Sequence, residues 1–348
     1  MGMFKIMTKD MGIDLGTANT LIYIKDSGIV LNEPSVIAFD KRSGKVLAVG
    51  LEAKNMIGKA PTNIEVVRPL RDGVISDFDR TADMLTKFIE KVVSSNKVKN
   101  FRVVVGVPSG VTDVEKRAVN EVVRQLGASE VYILEEPMAA AIGAGLDVDS
   151  SNACMIADIG GGTSDIAIIA LGGIVASSSI RYAGDKFNEA IINYMRKRHA
   201  LAIGERTAEQ LKMKIGCAEL PVDEDGNEMI ETTKASGRDL ISGLPKTIEV
   251  SNKDMMLALQ ESVEVIVDGV KTTIEKAPPE VAADIANNGM MLSGGGGLVR
   301  GLDHVISKAT GLKVTTAENA FEAVAAGTGM SLNDIEKLKI YATSVRRG

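Results

Sequence analysis

The sequence has few of the residues on which many catalytic and nucleic-acid sites depend. Its 348 residues include two histidines, two cysteines, no tryptophan and only 3% aromatic residues. Two histidines cannot build a histidine metal site or a convincing catalytic triad. The scarcity of aromatic rings removes the platforms on which single-stranded nucleic acids stack. A net charge of −6 also argues against a nucleic-acid partner. Chemistry in this chain must therefore rest on carboxylates, backbone amides, lysines and a bound metal.

Long apolar runs and a disulfide framework are missing as well. No run approaches the roughly 18 apolar residues of a membrane-spanning helix. Cys154 and Cys217 show neither disulfide nor metal-ligand spacing, and a reducing cytosol fits their use. Hydrophobic residues make up 45% and charged residues 25%, which is typical of a globular protein. The length suffices for two domains with their own cores.

The segment 155–167 has the pattern of a strand, a tight turn and a second strand, and it contains both acidic residues and consecutive glycines. Apolar residues lead to Asp158, the three glycines 160–162 follow, and the hydroxyls of Thr163 and Ser164 come next. Consecutive bare amides form a concavity that binds anions such as phosphate. An acid at the strand end suits a divalent cation, bound directly or through water. An ordinary glycine-rich hairpin is the competing interpretation.

A second copy of this pattern near the N-terminus favours the phosphate interpretation. The segment 12–22 carries Asp14 and Gly16 at the places that Asp158 and Gly160 hold in the first pattern. Two such hairpins indicate an internal duplication, with two related domains that each offer a phosphate loop to a shared cleft. We expect the two loops to hold one polyphosphate and its metal.

Strands alternate with helices twice along the chain, which indicates two α/β domains, each with a smaller excursion. A capping box at Thr112 and Glu115 predicts a helix from Asp113 to Leu126. The strand 131–134 is expected to deliver Glu135 and Glu136 to its carboxyl end, where open α/β sheets bind ligands. Loops or turns are predicted at 94–102, 184–186 and 221–237, and a strand is predicted at 240–250.

Two further motifs, together with the hairpins, resemble the actin-fold ATPases. They are EEPMAAAIGAG at 135–145 and LSGGGGL at 292–298. The segments 28–36 and 71–75 are more closely similar to the MreB family of bacterial actins, and the resemblance covers about 10–329. It implies an α/β fold that is actin-like (ribonuclease H-like), with duplicated domains around a nucleotide cleft.

The same resemblance implies the domain boundaries. The core of domain I is expected from 1–32, 66–146 and 319–348, with a small subdomain at 33–65. The core of domain II is expected from 147–181 and 250–318, with a small subdomain at 182–249.

A site for ATP and Mg²⁺ is implied as well, with Asp14 and Asp158 on the side of the metal. Glu209 and Lys212 would reach the ribose and base, although their spacing also fits a surface i,i+3 pair. The glycine run after Ser293 is neither a P-loop nor a dinucleotide fingerprint, and makes sense as backbone close to an adenosine. The residues expected to bind nucleotide are Gly16, Thr17, Ala18, Asn19, Gly160, Gly161, Gly162, Thr163, Glu209, Lys212, Gly294, Gly295, Gly296 and Gly297.

Glu136 is the expected catalytic residue, helped by Thr163. Hydrolysis of a γ-phosphate needs a metal and an oriented water more than covalent chemistry. In MreB-like proteins the glutamate before proline orients this water, and Glu136 matches that position. One departure is Thr163-Ser164-Asp165, where the family usually has Thr-Thr-Glu; it puts any role of a glutamate at position 165 in doubt.

The resemblance implies a nucleotide-driven filament protein that maintains rod cell shape. Subunits are expected to stack head to tail into paired protofilaments on the inner face of the cytoplasmic membrane, with the cell-wall elongation machinery as a partner. Among its charges the 94–101 loop offers only Val98 and Phe101, so the expected membrane anchor is Met3, Phe4, Ile6 and Met7. Two alternatives stay open. One is a monomeric chaperone-type ATPase. The other is a small-molecule kinase, for which no base aimed at a sugar hydroxyl stands out.

Overall fold

The computed structural model describes residues 10–25, 27–93 and 101–342, in which short strands alternate with helices. The strands are β1 (Met11–Leu15), β2 (Asn19–Ile24), β3 (Gly28–Pro34), β4 (Ile37–Asp40), β5 (Val46–Val49), β6 (Ile64–Val67), β7 (Leu70–Arg71), β8 (Val74–Ile75), β9 (Phe101–Val107), β10 (Ala128–Glu135), β11 (Cys154–Ile159), β12 (Ser164–Ala170), β13 (Gly173–Ile180), β14 (Leu201–Ala202), β15 (Thr232–Asp239), β16 (Pro245–Ser251), β17 (Met290–Ser293) and β18 (Val314–Thr316). The helices are α1 (Leu51–Lys54), α2 (Phe78–Val93), α3 (Asp113–Gln125), α4 (Glu136–Gly143), α5 (Gly184–His199), α6 (Glu205–Ile215), α7 (Asn252–Glu275), α8 (Pro279–Asn288), α9 (Gly294–Gly297), α10 (Leu302–Thr310), α11 (Ala323–Ser331) and α12 (Ile335–Tyr341).

Contacts within the chain divide it into two units. Unit 1 comprises Met1–Ser151, Ile169–Ile174 and Glu322–Gly348, and unit 2 comprises Asn152–Ile168 and Val175–Phe321. The finer division into two cores and two small subdomains stays a prediction. No helix in the described part of the chain is long and apolar enough to cross a membrane.

The main sheet of unit 1 has the order β3-β2-β1-β9-β10, in which β1 and β2 form an antiparallel hairpin and β1, β9 and β10 run parallel. The side chains of β9 are buried on both faces, as is typical of a central strand between helices. On one face, Val103 and Val105 belong to a core that includes Leu85 and Phe88 of α2. The opposite face, at Gly106, packs against Val324 of α11.

The main sheet of unit 2 has the order β13-β12-β11-β17-β18, with β11, β17 and β18 parallel. Each main sheet therefore has a hairpin and a third strand on one side and two parallel strands on the other. This shared order is what an internal duplication predicts. Each unit also carries a three-stranded sheet, β5-β4-β6 in unit 1 and β14-β15-β16 in unit 2.

Two helices of unit 1, α4 and α11, are in backbone contact through glycines. A Cβ atom placed on Gly143 would lie 1.9 Å from the Ala323 carbonyl oxygen, and one on Gly327 would lie 1.8 Å from the Ala139 carbonyl oxygen. Real Cβ atoms do not approach backbone this closely, so only glycine fits at both positions. This contact fixes α4, which begins at Glu136.

The helix predicted from the capping box is confirmed. Thr112 Oγ1 accepts a hydrogen bond from the Glu115 amide at 3.3 Å, and α3 follows as Asp113–Gln125. The strand expected to end at Leu134 continues through Glu135, so Glu136 is the first residue of a helix rather than part of the strand end.

Four other predicted boundaries are wrong. The turn predicted at 184–186 is the start of α5, because Gly184 serves a close backbone contact rather than a turn. The predicted loop 221–237 contains most of β15, and residues 240–244 are not strand. Strand β15 lies at the surface, and every second residue of it is exposed. The segment therefore has few apolar residues, and its sequence resembles that of a loop. Phe101, placed in a polar loop, begins β9 and is buried.

Candidate functional site

The first phosphate loop, between β1 and β2 of unit 1, is held in place by Ser35. The Ser35 hydroxyl donates to the Gly16 carbonyl at 2.6 Å and lies 2.9 Å from Thr20 Oγ1, and its amide donates to the Ala18 carbonyl at 2.9 Å. A Cβ atom on Gly16 would lie 2.7 Å from the Asn19 carbonyl oxygen, so the turn needs glycine there. The loop is therefore fixed by the protein itself.

Thr17, in the same loop, contacts the hairpin formed by β7 and β8. Its Oγ1 accepts a hydrogen bond from the Gly73 amide at 3.1 Å. Asp72 and Gly73 have φ angles of 49° and 77°, as a two-residue turn with two left-handed positions requires. The segment 71–75, singled out in the sequence by resemblance alone, thus supports the phosphate loop.

Asp14 and Glu136 both lie next to Gly106. Asp14 pairs with Gly106 across β1 and β9, and a Cβ atom on Gly106 would lie 3.7 Å from Glu136 Cγ. Glu136 is buried, at 7% exposure, in the first turn of α4. Its neighbour Glu135 accepts a hydrogen bond from the Ser109 hydroxyl at 2.7 Å, which gives Glu135 a structural role. Asp14, residues 16–19 and Glu136 form what we call the unit 1 cluster.

The second phosphate loop, between β11 and β12 of unit 2, is fixed by backbone contacts. The Gly160 amide donates to the Thr163 carbonyl at 2.9 Å. The first amides of α5, those of Gly184 and Asp185, donate to the carbonyls of Gly160 and Gly161 at 3.1 and 2.8 Å. A Cβ atom on Gly184 would lie 3.1 Å from the Gly160 carbonyl oxygen, a tight contact that glycine avoids.

Lys212, on α6, lies beside this loop. Its ammonium group donates to the Gly184 carbonyl at 2.9 Å. Glu209 lies one turn earlier on the same helix, and both side chains are half-buried. The hydrogen bond puts Lys212 at the base of the second phosphate loop, which an i,i+3 surface pair would not require.

Asp158 is the residue before the last of β11 and is buried, at 5% exposure. The Ser293 hydroxyl donates a hydrogen bond to its Oδ1. Burial raises the pKa of Asp158 to about 7; the Ser293 hydrogen bond opposes this rise, and the negative charge of Asp165 adds to it. A raised pKa here reports the cost of burying a carboxylate charge, a cost that a bound cation removes. Sequence reasoning missed Ser293, and the LSGGGGL motif was its only signal.

The glycine run 294–297 forms a single helical turn, α9, packed on the end of β11. Gly294 has a φ angle of 77°, and its Cβ atom would lie 2.3 Å from the Ile159 carbonyl oxygen. A Cβ atom on Gly296 would lie 2.5 Å from Ile159 Cγ2. The run therefore lies next to the second phosphate loop. With Asp158, residues 160–163, Lys212 and Ser293 it forms the unit 2 cluster.

The residues in these clusters fit a magnesium ion that arrives with a nucleotide. Mg²⁺ is usually held by one or two carboxylates, with phosphate oxygens and waters as the other ligands. Asp14 and Asp158 each offer one carboxylate beside a phosphate loop. In residues 10–25, 27–93 and 101–342, no group of three or more His, Cys, Asp or Glu side chains is placed to hold a metal alone. Each carboxylate thus suits an ion whose other ligands are phosphate oxygens and waters, rather than an all-protein metal site.

Known proteins are similar to this chain in sequence and in fold. The family model described as MreB/Mbl protein matches residues 8–340. The cell shape-determining protein Mbl of Bacillus subtilis is 48% identical over 333 residues, covering 96% of this chain and 98% of the relative. The crystal structure of MreB5 of Spiroplasma citri bound to AMPPNP is 37% identical with a TM-score of 0.89, covering 95% and 98% of the two chains.

A more distant structure, the MamK double helical filament, is 22% identical with a TM-score of 0.78, covering 94% of this chain and 99% of MamK. At that identity it shows the fold alone. These likenesses confirm the expected fold class of duplicated, actin-like α/β domains.

Proposed function

Since the chain belongs to the MreB/Mbl family, and is thus a bacterial actin homologue associated with cell shape, we propose that it binds ATP with Mg²⁺ and hydrolyses the γ-phosphate. The observation that carries the proposal is Asp158, a buried carboxyl group at a strand end next to a three-glycine loop. A relative, MreB5, has been solved with the ATP analogue AMPPNP. A fixed turn of bare amides beside a buried acid is the arrangement that a metal-bound polyphosphate needs.

Each cluster has a part in this reaction. The amides of 16–19 and 160–163 donate to phosphate oxygens, and the carboxylates of Asp14 and Asp158 hold the cation. The magnesium ion, when bound, neutralises charge on the phosphate oxygens. Glu136 orients the attacking water, with help from Thr163, because a buried carboxylate beside the phosphates can accept a proton from it. Lys212, Glu209 and the glycines 294–297 contact the nucleoside.

The catalytic cycle is proposed to drive filament assembly. Subunits stack head to tail, a heterologous contact that continues without closing, and two protofilaments pair. MamK, a chain of the same fold, has been solved as a double helical filament. By this proposal the filaments lie on the inner face of the cytoplasmic membrane and direct cell-wall synthesis with the elongation machinery.

The proposed membrane contact depends on apolar residues near the N-terminus. The expected anchor, Met3, Phe4, Ile6 and Met7, lies outside the described residues, as does Val98. Phe101 is buried and is not available for a membrane contact. An anchor of this size binds weakly in one subunit, and its repetition along a filament adds avidity. Flotation of filaments with liposomes tests this part.

Nucleotide binding and assembly are tested with Asp158→Ala and the parent chain. We expect the parent to bind ATP more tightly with Mg²⁺ than with EDTA, and to sediment as filaments visible by electron microscopy. Asp158→Ala should lose the gain in affinity from Mg²⁺, because the buried carboxylate is gone. Glu224→Ala, in an exposed loop of the same unit, should behave like the parent. If Asp158→Ala binds ATP and Mg²⁺ as tightly as the parent, the proposed site is wrong.

A further inference from the structure

Ser293 occupies the strand position directly beside Asp158. The parallel strands β11 and β17 pair Asp158 with Ser293 in register, at the carboxyl end of both strands. Ser293 is fully buried, and its hydroxyl donates to Asp158 Oδ1. The hydroxyl thus reaches the carboxylate from the neighbouring strand, and its hydrogen bond favours one orientation of that carboxylate.

The direction of this hydroxyl is unusual for its position in the chain. Ser293 precedes α9 as its N-cap residue, and serine at that position commonly accepts a hydrogen bond from a helix amide. Here the side chain makes no capping hydrogen bond. Its hydrogen bond goes to Asp158 instead, although the two residues are 135 positions apart. The preference of serine for helix N-caps therefore does not explain the direction of this hydroxyl. Its hydrogen bond to the Asp158 carboxylate explains it.

The backbone around Ser293 is held firmly in place beside Asp158. The next residue, Gly294, has a φ angle of 77° and lies against the Ile159 carbonyl, where a Cβ atom would come within 2.3 Å. On the other side, β17 is paired to both β11 and β18. The strand end is thus held from two directions, which fixes the position of the Ser293 Cβ atom beside Asp158.

We propose that Ser293 is a positioning residue, whose hydroxyl orients the Asp158 carboxylate toward the cation of the bound nucleotide. This inference rests on the proposed function, since it needs a cation at Asp158. Residues that orient a metal-binding group through hydrogen bonds typically change metal affinity by about 10–100-fold when they are removed. Because Ser293 also begins the glycine turn, it joins the acidic part of the unit 2 cluster to the part proposed to contact the nucleoside.

The experiment compares ATP affinity with Mg²⁺ and with EDTA, by titration calorimetry, for the parent, Ser293→Ala, Ser293→Thr and Ser262→Ala. Ser262 is a matched control, because it is a fully buried serine of unit 2 whose hydroxyl has no hydrogen-bond partner. We expect Ser293→Ala to raise the Mg²⁺ concentration for half-maximal binding by about 10-fold or more, with affinity in EDTA unchanged. Ser293→Thr, which keeps the hydroxyl, should restore the parent value, and Ser262→Ala should match the parent.

The outcomes separate this inference from the proposed function. If the parent gains no affinity from Mg²⁺, the proposed function fails, and the inference falls with it. If Mg²⁺ raises the ATP affinity of the parent and raises that of Ser293→Ala by the same factor, the inference alone is wrong. If Ser293→Ala loses ATP affinity by the same factor with Mg²⁺ and with EDTA, the role of Ser293 is purely structural and the inference is also wrong. Thermal melting identifies any variant that does not fold, and Ser293→Ala decides the question if the added methyl group of threonine does not fit.

Discussion

Asp14 of unit 1 pairs with Gly106, whereas Asp158 of unit 2 pairs with Ser293. The two pairs hold equivalent places, because β9 lies beside β1 in the order in which β17 lies beside β11. One duplicated scaffold thus has a glycine at this place in one copy and a serine in the other. The glycine lies next to Glu136, and the serine donates a hydrogen bond to the aspartate.

This difference teaches how a duplicated fold can divide its work between two similar sheets. In unit 1 no side chain stands at this place, and Glu136, whose carboxyl group is proposed to orient water, lies next to it. In unit 2 the same place holds a hydroxyl bonded to the buried acid. Under the proposed function, unit 1 supplies the hydrolytic carboxylate, and unit 2 supplies the more buried metal ligand.

The largest expected effect comes from Glu136→Gln, which tests the unit 1 side of this comparison. The variant should keep ATP affinity and lose about 10²–10⁴-fold in turnover, because the amide cannot accept a proton from the water. Phosphate release at saturating ATP measures the turnover. Glu135→Gln is the control; its side-chain oxygen can still accept from Ser109, so turnover should stay near the parent value. Equal turnover by Glu136→Gln and the parent would remove Glu136 from the mechanism.

A smaller effect is expected from Gly106→Ser, which gives unit 1 the residue found in unit 2. The new Cβ atom would lie 3.1 Å from Val324 Cγ1 and 3.7 Å from Glu136 Cγ. We expect overpacking against Val324 to cost about 1–3 kcal/mol of stability, and the added hydroxyl beside Glu136 to slow hydrolysis more than it weakens ATP binding. Urea unfolding and phosphate release measure the two effects. Gly173→Ser, where a Cβ atom meets only ordinary contacts, should change neither. A fully active Gly106→Ser would show that the glycine is not needed for Glu136.

The smallest expected effect is a pH-dependent change in stability of the nucleotide-free chain. Burial raises the pKa of Asp158 to about 7, above the ordinary value of 3.8 for an aspartate, so the folded state binds more protons than the unfolded state between these values. The free energy of unfolding therefore falls as pH rises through this window. Asp158→Asn removes that cost. In EDTA it should be more stable than the parent at pH 8, by more than about 1 kcal/mol, and the difference should vanish near pH 4.

Asp149 of unit 1 provides a control for which we expect the opposite change of stability with pH. Hydrogen bonds from Lys337 and Tyr341 lower the pKa of Asp149, so its charged form stabilises the folded state above the unfolded pKa. Asp149→Asn should lose stability at pH 8 and resemble the parent at low pH; thermal melts across the pH range measure both variants. A stability difference for Asp158→Asn that does not change with pH would contradict a buried, costly charge at Asp158.

Local signals in the sequence account for the parts of the fold that were predicted. The capping box at Thr112 is present as predicted, and a second capping box, at Ser251, begins α7. Each depends on residues within one helical turn, so no distant contact can hide it. The turn predicted at 184–186 is wrong, because Gly184 is typical of a turn in the sequence, and in the structure it begins α5 and permits a close contact with Gly160.

By itself the sequence determined the two acid-and-glycine hairpins, since strand, turn and strand lie within a dozen residues and glycine alone permits the turn. Their relation as copies could also be predicted, because the same residue types recur at the same spacing. Only the tertiary structure decided what stands beside each acid. Gly106 and Ser293 reach Asp14 and Asp158 through pairing of strands far apart in the chain. The physical reason is that a serine before a helix has a local partner in the helix amides, and only strand pairing shows that its hydroxyl bonds a buried carboxylate instead.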